Sequence, residues 1–309
     1  MEIGLRTPED WVLNERPFVT ARYPVCPSGG KSYYWGDLAM QTCIAISTSG
    51  AKFAALAMKA DFKDSLRKVA ELGYDAVELA IRDPRIIDLS EIKRLLREYH
   101  LPVPAIATGQ AYGEEGLSFA DPDPEIRKKA VERIKSHIDL ALEIGGAQVI
   151  IGLIRGTVQP GRDKEEAEKY LVECLSDLFE YQPDIMLTME PINRYETNLY
   201  NDTHSLRRLI DQTGQPNLKM LIDTFHMNIE EPDIIESILN VKDYISHVHF
   251  ADSNRWAPGC GHLNFKEILK TLKKIGYQGA ISTEILPKPS QEECMKLTIE
   301  YYRKLGLTK

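Results

Sequence analysis

From Met40 to its C-terminal end, the chain alternates short apolar runs with amphipathic segments. A short apolar run that precedes a helical pattern is typical of a buried parallel strand. The predicted strands are 42–47, 76–81, 103–108, 147–153, 185–190, 218–223, 244–249 and 280–284. The predicted helices are 62–72, 90–99, 124–144, 164–181, 203–212, 232–239, 265–275 and 291–305. Eight strands, each followed by a helix, predict an α/β fold of the (β/α)8 TIM-barrel type, a single domain over residues 40–309.

An open, doubly wound sheet is the alternative to this barrel. Such a sheet usually has fewer strand–helix units and a glycine-rich first turn, and no GxGxxG sequence follows the first predicted strand. The first 39 residues differ from the rest, because they contain four prolines and no sustained period. Since Met40 directly precedes the first strand, we expect residues 1–39 to be a disordered extension or a translated leader, and Met40 to be the natural start.

The composition of the chain argues against nucleic-acid and membrane partners. With 309 residues, a net charge of −8 and a pI near 5.5, the chain lacks the basic balance of a non-specific nucleic-acid binder. No apolar stretch is long enough to span a bilayer, so we expect no membrane partner. The five cysteines are scattered and show no CxxC spacing, which is typical of reduced thiols in a cytoplasmic protein.

Four consecutive predicted strands end on side chains that bind metals. Glu190, Asp223, His249 and Glu284 close strands five to eight. The carboxyl ends of the strands of a TIM barrel meet on one face, so these residues are expected to converge. Three carboxylates and one imidazole suit a divalent cation. A strand-end Asp often only begins the next helix, but that alternative is weaker for four potential ligands on neighbouring strands.

The two glutamates also suggest a reaction. Glu190 and Glu284 come from strands five and eight, and are expected to lie across the barrel mouth from each other. With a metal between them, they can address opposite faces of one carbon, one removing a proton and the other returning it. A metal that holds a ketone and its neighbouring hydroxyl as an enediolate acidifies that proton.

Residues that follow the predicted ligands are candidate substrate contacts. Glu196 lies six residues after Glu190, His226 three after Asp223, and Arg255 six after His249. Each has an ordinary alternative: a salt bridge from Glu196 to a surface cation, a satisfied loop histidine, or an exposed loop arginine. His247 lies on the same strand face as His249 and is expected to pack one layer deeper.

In order and spacing, these motifs resemble those of the xylose-isomerase-like barrels that epimerise ketoses, the D-tagatose and D-psicose 3-epimerase group. The resemblance covers about residue 42 to the C-terminus and depends on 190–196, 223–231, 247–249, 254–255 and Glu284. It implies Glu190, Asp223, His249 and Glu284 as metal ligands, with Glu190 and Glu284 as the acid/base pair. It also implies Glu196, His226 and Arg255 as substrate contacts, Mn²⁺ with Co²⁺ or Mg²⁺ as substitutes, and a homo-oligomer, a dimer or tetramer.

Other segments resemble one branch of this group, which contains the 5-keto-L-gluconate epimerase of inositol catabolism that forms D-tagaturonate. They are 46–49, 82–84, 108–112, 151–156 and 254–262. A keto acid carries a carboxylate, which Arg82 or, better, Arg155 could bind in a bidentate way at the mouth. Gln110 and its loop are a further expected contact. Neutral ketoses (D-tagatose, D-psicose or L-ribulose) are the alternative substrates.

A more remote alternative is a nuclease like endonuclease IV, which has the related barrel. Its three-zinc site needs more histidines and a basic groove, whereas this chain has seven histidines and is acidic.

Overall fold

The computed structural model of the protein describes residues 40–47, 56 and 61–308. Its eight parallel strands close into a barrel in chain order, with β1 paired to β8, and this confirms the predicted TIM barrel. The strands are β1 (Gln41–Ser47), β2 (Ala76–Ala80), β3 (Ala105–Ala107), β4 (Gln148–Ile151), β5 (Leu187–Met189), β6 (Leu218–Asp223), β7 (Ile245–His249) and β8 (Ala280–Ser282). The expected extension, 1–39, lies outside the described residues.

Ten helices surround the barrel in the described part of the chain. They are α1 (Phe62–Leu72), α2 (Leu89–Glu98), α3 (Gln110–Glu115), α4 (Pro124–Glu143), α5 (Lys164–Tyr181), α6 (Thr203–Thr213), α7 (Thr224–Glu230), α8 (Ile234–Asn240), α9 (Phe265–Lys274) and α10 (Gln291–Lys304). Eight of them match the predicted helices to within two residues at each end. None of the described helices combines the length and apolar character needed to cross a membrane.

The two short helices, α3 and α7, were not predicted. Residues 110–112 were expected to form a loop, but Gln110 is the first residue of α3. Asp223 ends β6 and at the same time caps α7, because its Oδ1 accepts a hydrogen bond of 2.7 Å from the backbone N–H of Phe225. Helices of six or seven residues show only a weak helical period, and of the three such helices in the described part of the chain, α8 alone was predicted.

Capping and amphipathicity explain why the long helices form where they do. In α4, the Oδ1 atom of Asp123 accepts a 2.8 Å hydrogen bond from the N–H of Glu125, and Pro124 occupies the first helical position. Ile134 and Ile138, one helical turn apart, bury the inner face of the helix against the strands. The apolar core of the protein therefore lies mostly between the outer surface of the barrel and its helices.

The barrel interior differs from this outer core in size and polarity. Ala80 and Ala107 near the carboxyl ends of β2 and β3 are small, and they leave space at that end. Two residues deeper on β2 lies the completely buried Glu78, level with Ala45 of β1. Because side chains alternate along a strand, Glu78 points to the same interior as Ala80. The interior is thus hollow at one end and polar beneath.

Candidate metal centre and active site

The strand register brings the four predicted ligands to one end of the barrel. Asp223 pairs with His249, and His249 pairs with Ser282, two residues before Glu284. Glu190 and Glu284 lie one and two residues beyond the ends of β5 and β8. Glu190, His249 and Glu284 line an open cavity of about 470 Å³ that includes solvent space. The other lining residues are Ala80, Ala107, Thr108, Gly109, Gln110, Ile150, Gly152, Leu153, Ile192, Glu196, His226 and Arg255.

Three buried atoms of the predicted ligands form no hydrogen bond with any described residue. They are Oε1 of Glu190, Oδ2 of Asp223 and Nδ1 of His249. The nitrogen of His249 lies 3.7 Å from the Asp223 oxygen and 4.0 Å from the Glu190 oxygen. Glu284 also lies within reach, because it offers an oxygen within 4.8 Å of ligand atoms of Asp223 and His249. Buried acceptors without donors are costly, so these residues fit a divalent cation well.

The two glutamates are in an environment that disfavours their charged forms. Burial raises the pKa of Glu190 well above its usual range, and the negative charges of Glu284 and Asp223 add to the shift. Burial also raises the pKa of Glu284 to about 7, although Arg255 opposes this shift. A carboxyl group with a pKa of about 7, like that of Glu284, can accept and release a proton near neutral pH.

Asp223 and His249 each have one side-chain atom in contact with a residue outside the ligand set. Oδ1 of Asp223 accepts from the N–H of Phe225, and Nε2 of His249 contacts Glu78. Burial alone would raise the pKa of Asp223, but the neighbouring His249 and His226 lower it below its usual value. The Nε2 atom of His249 lies 3.0 Å from Oε2 of Glu78. That same carboxylate oxygen lies 2.8 Å from Nε2 of His247. Because each residue is fixed by one atom, its other atom is directed to the shared space.

Sequence reasoning missed Glu78. Its carboxyl is completely buried, and burial opposes its charge, but His249 and His247 lower its pKa below the usual range. A signal was present: Glu78 is the single charged residue of the apolar strand Ala76–Ala80. The alternation argument that placed His247 and His249 on one face also applies to this strand and would have placed Glu78 in the interior.

Arg255 links two acidic side chains at the cavity. Its Nη1 atom donates to Oε1 of Glu196 at 2.8 Å, and its Nη2 atom donates to Oε2 of Glu284 at 3.0 Å. The guanidinium also lies over the ring of Phe225, 5.0 Å from the centroid. The predicted substrate contacts Glu196 and Arg255 therefore both line the cavity, where they are paired with each other.

His226 also lines the cavity, and its contacts define its protonation. The backbone N–H of Asn193 donates to Nδ1 at 3.3 Å, and the Asn193 side-chain amide lies 2.7 Å from the same atom. Burial lowers the pKa of His226 to about 4, which favours the neutral ring at neutral pH. Since Nδ1 accepts, the ring proton is on Nε2, which lies 3.7 Å from Oε1 of Glu190. His226 thus presents a donor beside Glu190.

The remaining predicted contacts differ in position. Gln110 lines the cavity, 3.4 Å from the Ser47 hydroxyl. Arg155 is completely buried and does not line the cavity; its guanidinium donates to the backbone carbonyl of Glu190. Arg82 forms salt bridges with Glu114 and Glu115. The structure therefore gathers every predicted contact except the two arginines that were expected to bind a carboxylate.

Comparison with known proteins agrees with this fold. Residues 66–305 match the family described as xylose isomerase-like TIM barrel. An L-ribulose 3-epimerase from Methylomonas sp. is 34% identical over 247 residues, covering 75% of this chain and 83% of the relative. A D-psicose 3-epimerase from Enterocloster bolteae is 31% identical over 236 residues, covering 73% and 77% respectively. The crystal structure of a D-allulose 3-epimerase from Methylomonas sp. superposes with a TM-score of 0.72 at 27% identity, covering 87% of this chain and 100% of that one.

The chain belongs to the xylose isomerase-like TIM barrel family, as its resemblance to that family predicted. It is an isomerase of the epimerase type that acts on carbohydrates.

Proposed function

We propose that this protein is a divalent-metal-dependent epimerase that inverts the carbon next to the ketone of a sugar. The observation that carries the proposal is the convergence of unpartnered ligand atoms from Glu190, Asp223 and His249 beside Glu284. Two of these four residues, Glu190 and Glu284, also have carboxyl pKa values raised by burial. The ketose 3-epimerases among the relatives support the same reaction.

In this proposal Glu190, Asp223, His249 and Glu284 hold the cation, which is Mn²⁺, with Co²⁺ or Mg²⁺ as substitutes. Carboxylate and imidazole ligands suit these ions. When bound, the cation withdraws electron density from the substrate carbonyl and so lowers the pKa of the adjacent carbon-bound proton. Three buried carboxyl groups need a compensating positive charge to ionise, and a divalent ion supplies it.

The chain's own residues carry the protons. One of Glu190 and Glu284 removes the carbon-bound proton, and the other delivers a proton to the opposite face. Which of them acts first depends on the direction of the reaction. Arg255 donates to Glu284 at 3.0 Å and holds that carboxylate in place. The Nε2–H of His226, beside Glu190, donates to a substrate oxygen, while Glu196 and Gln110 bind other polar groups of the sugar.

The finer proposal is that the substrate is 5-keto-L-gluconate, which the protein converts to D-tagaturonate. Segments that carry the resemblance to this branch line the cavity, namely Thr108, Gly109, Gln110, Gly152, Leu153 and Arg255. A keto acid also needs a cation for its carboxylate. The lining supplies Arg255 for this role, because Arg155, although two of its donors form no hydrogen bond with a described residue, lies outside the lining.

A neutral ketose is the second candidate, and a specific observation favours it. Arg255 is the single arginine among the described lining residues, and it is paired with Glu196 and Glu284. The curated relatives act on L-ribulose and D-psicose, according to their names. The three glutamates of the lining disfavour the nuclease alternative, because a DNA phosphate would be repelled.

A substrate screen tests the two candidates. Purified protein with Mn²⁺ is assayed against 5-keto-L-gluconate and against D-tagatose, D-psicose and L-ribulose, with a chelator-treated sample in parallel. We expect the highest kcat/KM for the keto acid and loss of all turnover after chelation. Turnover restricted to the neutral ketoses would remove the keto-acid assignment. Turnover of none of these sugars would contradict the proposed epimerase.

A further inference from the structure

We propose that Glu78 is a positioning residue that fixes the ring of His249 so that its Nδ1 lone pair faces the cation. This inference rests on the proposed function, because it takes the metal centre as its starting point. It assigns a role to a buried carboxylate that neither lines the cavity nor belongs to the ligand set.

The contacts of Glu78 define which ring nitrogen carries the proton. Its Oε2 atom lies 3.0 Å from Nε2 of His249 and 2.8 Å from Nε2 of His247. A carboxylate oxygen only accepts hydrogen bonds, so both imidazoles donate through Nε2–H. All three side chains are buried, and water does not compete for these bonds.

This arrangement determines the state of the other nitrogen. A neutral imidazole with a hydrogen on Nε2 has a lone pair on Nδ1. The Nδ1 atom of His249 is the atom without a hydrogen-bond partner among the described residues, 3.7 Å from Oδ2 of Asp223 and 4.0 Å from Oε1 of Glu190. The Glu78 contact therefore holds Nε2 and orients the ring, so that Nδ1 is the nitrogen that faces the other ligands.

His247, on the same strand as His249, contacts the same Glu78 oxygen. Its ring lies 5.2 Å from that of His249, and its Nδ1 atom is 3.4 Å from the side-chain amide of Gln148. Because His247 donates to the same Glu78 oxygen, it keeps that oxygen directed to the histidine pair. Partners of this kind, behind a metal-binding histidine, typically contribute roughly 10- to 100-fold to metal affinity.

Calorimetric titration of the metal-free protein with Mn²⁺ tests the inference without measuring activity. Glu78→Gln keeps the size of the side chain but replaces the charged oxygen that accepts from both histidines with a neutral, weaker acceptor. We expect its Kd for Mn²⁺ to rise by about 10- to 100-fold. The matched control is Asp83→Asn, which removes a carboxylate beyond the same strand that pairs with Arg85 and Arg133. We expect that Kd to stay within about twofold of wild type.

The possible outcomes distinguish a failure of the role of Glu78 from a failure of the proposed metal centre. A folded Glu78→Gln protein that binds Mn²⁺ as tightly as wild type would overturn the role of Glu78 and leave the metal centre intact. A wild-type protein that binds no Mn²⁺ would overturn the centre and the role together. A Glu78→Gln and an Asp83→Asn protein with equal losses would also overturn it, because the effect would then not be specific to the histidine pair.

A second measurement needs no folded Glu78 variant. Wild-type protein labelled with ¹⁵N-histidine and saturated with diamagnetic Mg²⁺ is studied by ¹H–¹⁵N NMR, and the His249 signals are identified by their loss in His249→Asn. We expect the His249 proton on Nε2 and none on Nδ1. A proton on Nδ1 of His249 would overturn the inference, whatever the affinity of the variants.

Discussion

The four predicted ligands form two pairs that differ in their position relative to the strands and in the pKa of their carboxyl groups. Asp223 and His249 are the last residues of β6 and β7, and each has one atom fixed by a hydrogen bond, to Phe225 and Glu78 respectively. Glu190 and Glu284 lie beyond β5 and β8, and burial raises the pKa of both. The pair at the strand ends suits holding a cation, whereas the pair with raised carboxyl pKa values suits exchanging protons. Under the proposed function, the same four ligands would both hold the cation and exchange protons.

The largest expected effect is a loss of kcat. Its response to excess Mn²⁺ should distinguish the pair Glu190 and Glu284 from the pair Asp223 and His249. We expect Glu190→Gln and Glu284→Gln to lower kcat by on the order of 10³-fold at saturating Mn²⁺, because each removes a proton carrier. Asp223→Asn should weaken Mn²⁺ binding, and excess Mn²⁺ should restore part of its activity. The measurement is kcat as a function of Mn²⁺ concentration.

The control for these variants is Glu143→Gln, an exposed glutamate of α4 that pairs with Lys93. It should leave kcat unchanged. Full activity in Glu284→Gln, or restoration of Glu190→Gln by excess Mn²⁺, would remove the distinction between the pairs.

A smaller effect is expected at His226, which presents a donor beside Glu190. His226→Phe keeps an aromatic ring but removes the Nε2–H. Loss of one buried hydrogen bond should lower kcat/KM by about 10- to 100-fold. Phe225→Leu, the adjacent position on α7, is the control for changes of packing and should have a smaller effect. Equal kinetics in wild type and His226→Phe would show that this nitrogen does not contact the substrate.

The pH dependence of stability tests the environment of Glu284. Because the folded pKa of Glu284, about 7, exceeds the ordinary value of 4.5, its stabilising contribution is present at low pH. That contribution is lost as the pH rises through about 7. Relative to Glu284→Gln, the metal-free wild type should therefore lose on the order of 1–3 kcal/mol of unfolding free energy between about pH 4.5 and 8.

Urea denaturation of both proteins with a chelator, at several pH values, measures this difference. Comparison with Glu284→Gln isolates the contribution of Glu284 to the unfolding free energy, because the buried histidines titrate in both proteins. A difference that stays constant with pH would contradict the raised pKa. Added Mn²⁺ should reduce the pH dependence, because a bound cation favours the ionised carboxylate.

The smallest expected effect concerns selectivity and Arg155. Its guanidinium donates to the carbonyl of Glu190, so Arg155→Ala should disturb that glutamate whatever the substrate. We expect similar losses of kcat/KM, roughly 10-fold as for one hydrogen bond to a charged group, for 5-keto-L-gluconate and for D-psicose. A loss confined to the keto acid would instead support binding of the substrate carboxylate by Arg155.

Much of the fold and of the ligand set could be predicted from local sequence patterns. The strand β6 and the helices α1 and α5 have the predicted bounds, because the pattern of apolar residues in such segments indicates which side chains are buried. Asp223 and His249 end predicted apolar strands, and they were expected to converge because the strand ends of a barrel share one face. These predictions require only the pattern of apolar residues along the sequence and the rule that the carboxyl ends of barrel strands share one face.

The rest depends on contacts between distant parts of the chain. Glu78 and His249 are 171 residues apart, and no local pattern relates them. Arg155 was expected at the cavity from its position after β4, but a 3-10 turn over Leu153–Arg155 directs it to the Glu190 backbone. Side-chain direction beyond a strand end is set by such turns, which short sequence patterns do not determine.

The most direct test of the central claim is incorporation of solvent deuterium during turnover. The protein with Mn²⁺ converts its substrate in D₂O, and the inverted carbon of the product is followed by NMR. Because Glu190 and Glu284 are proposed to exchange protons with solvent, we expect deuterium at that carbon in the product. Both Glu190→Gln and Glu284→Gln should form no epimer above background. A product that keeps its original hydrogen at that carbon would contradict proton transfer by the two glutamates.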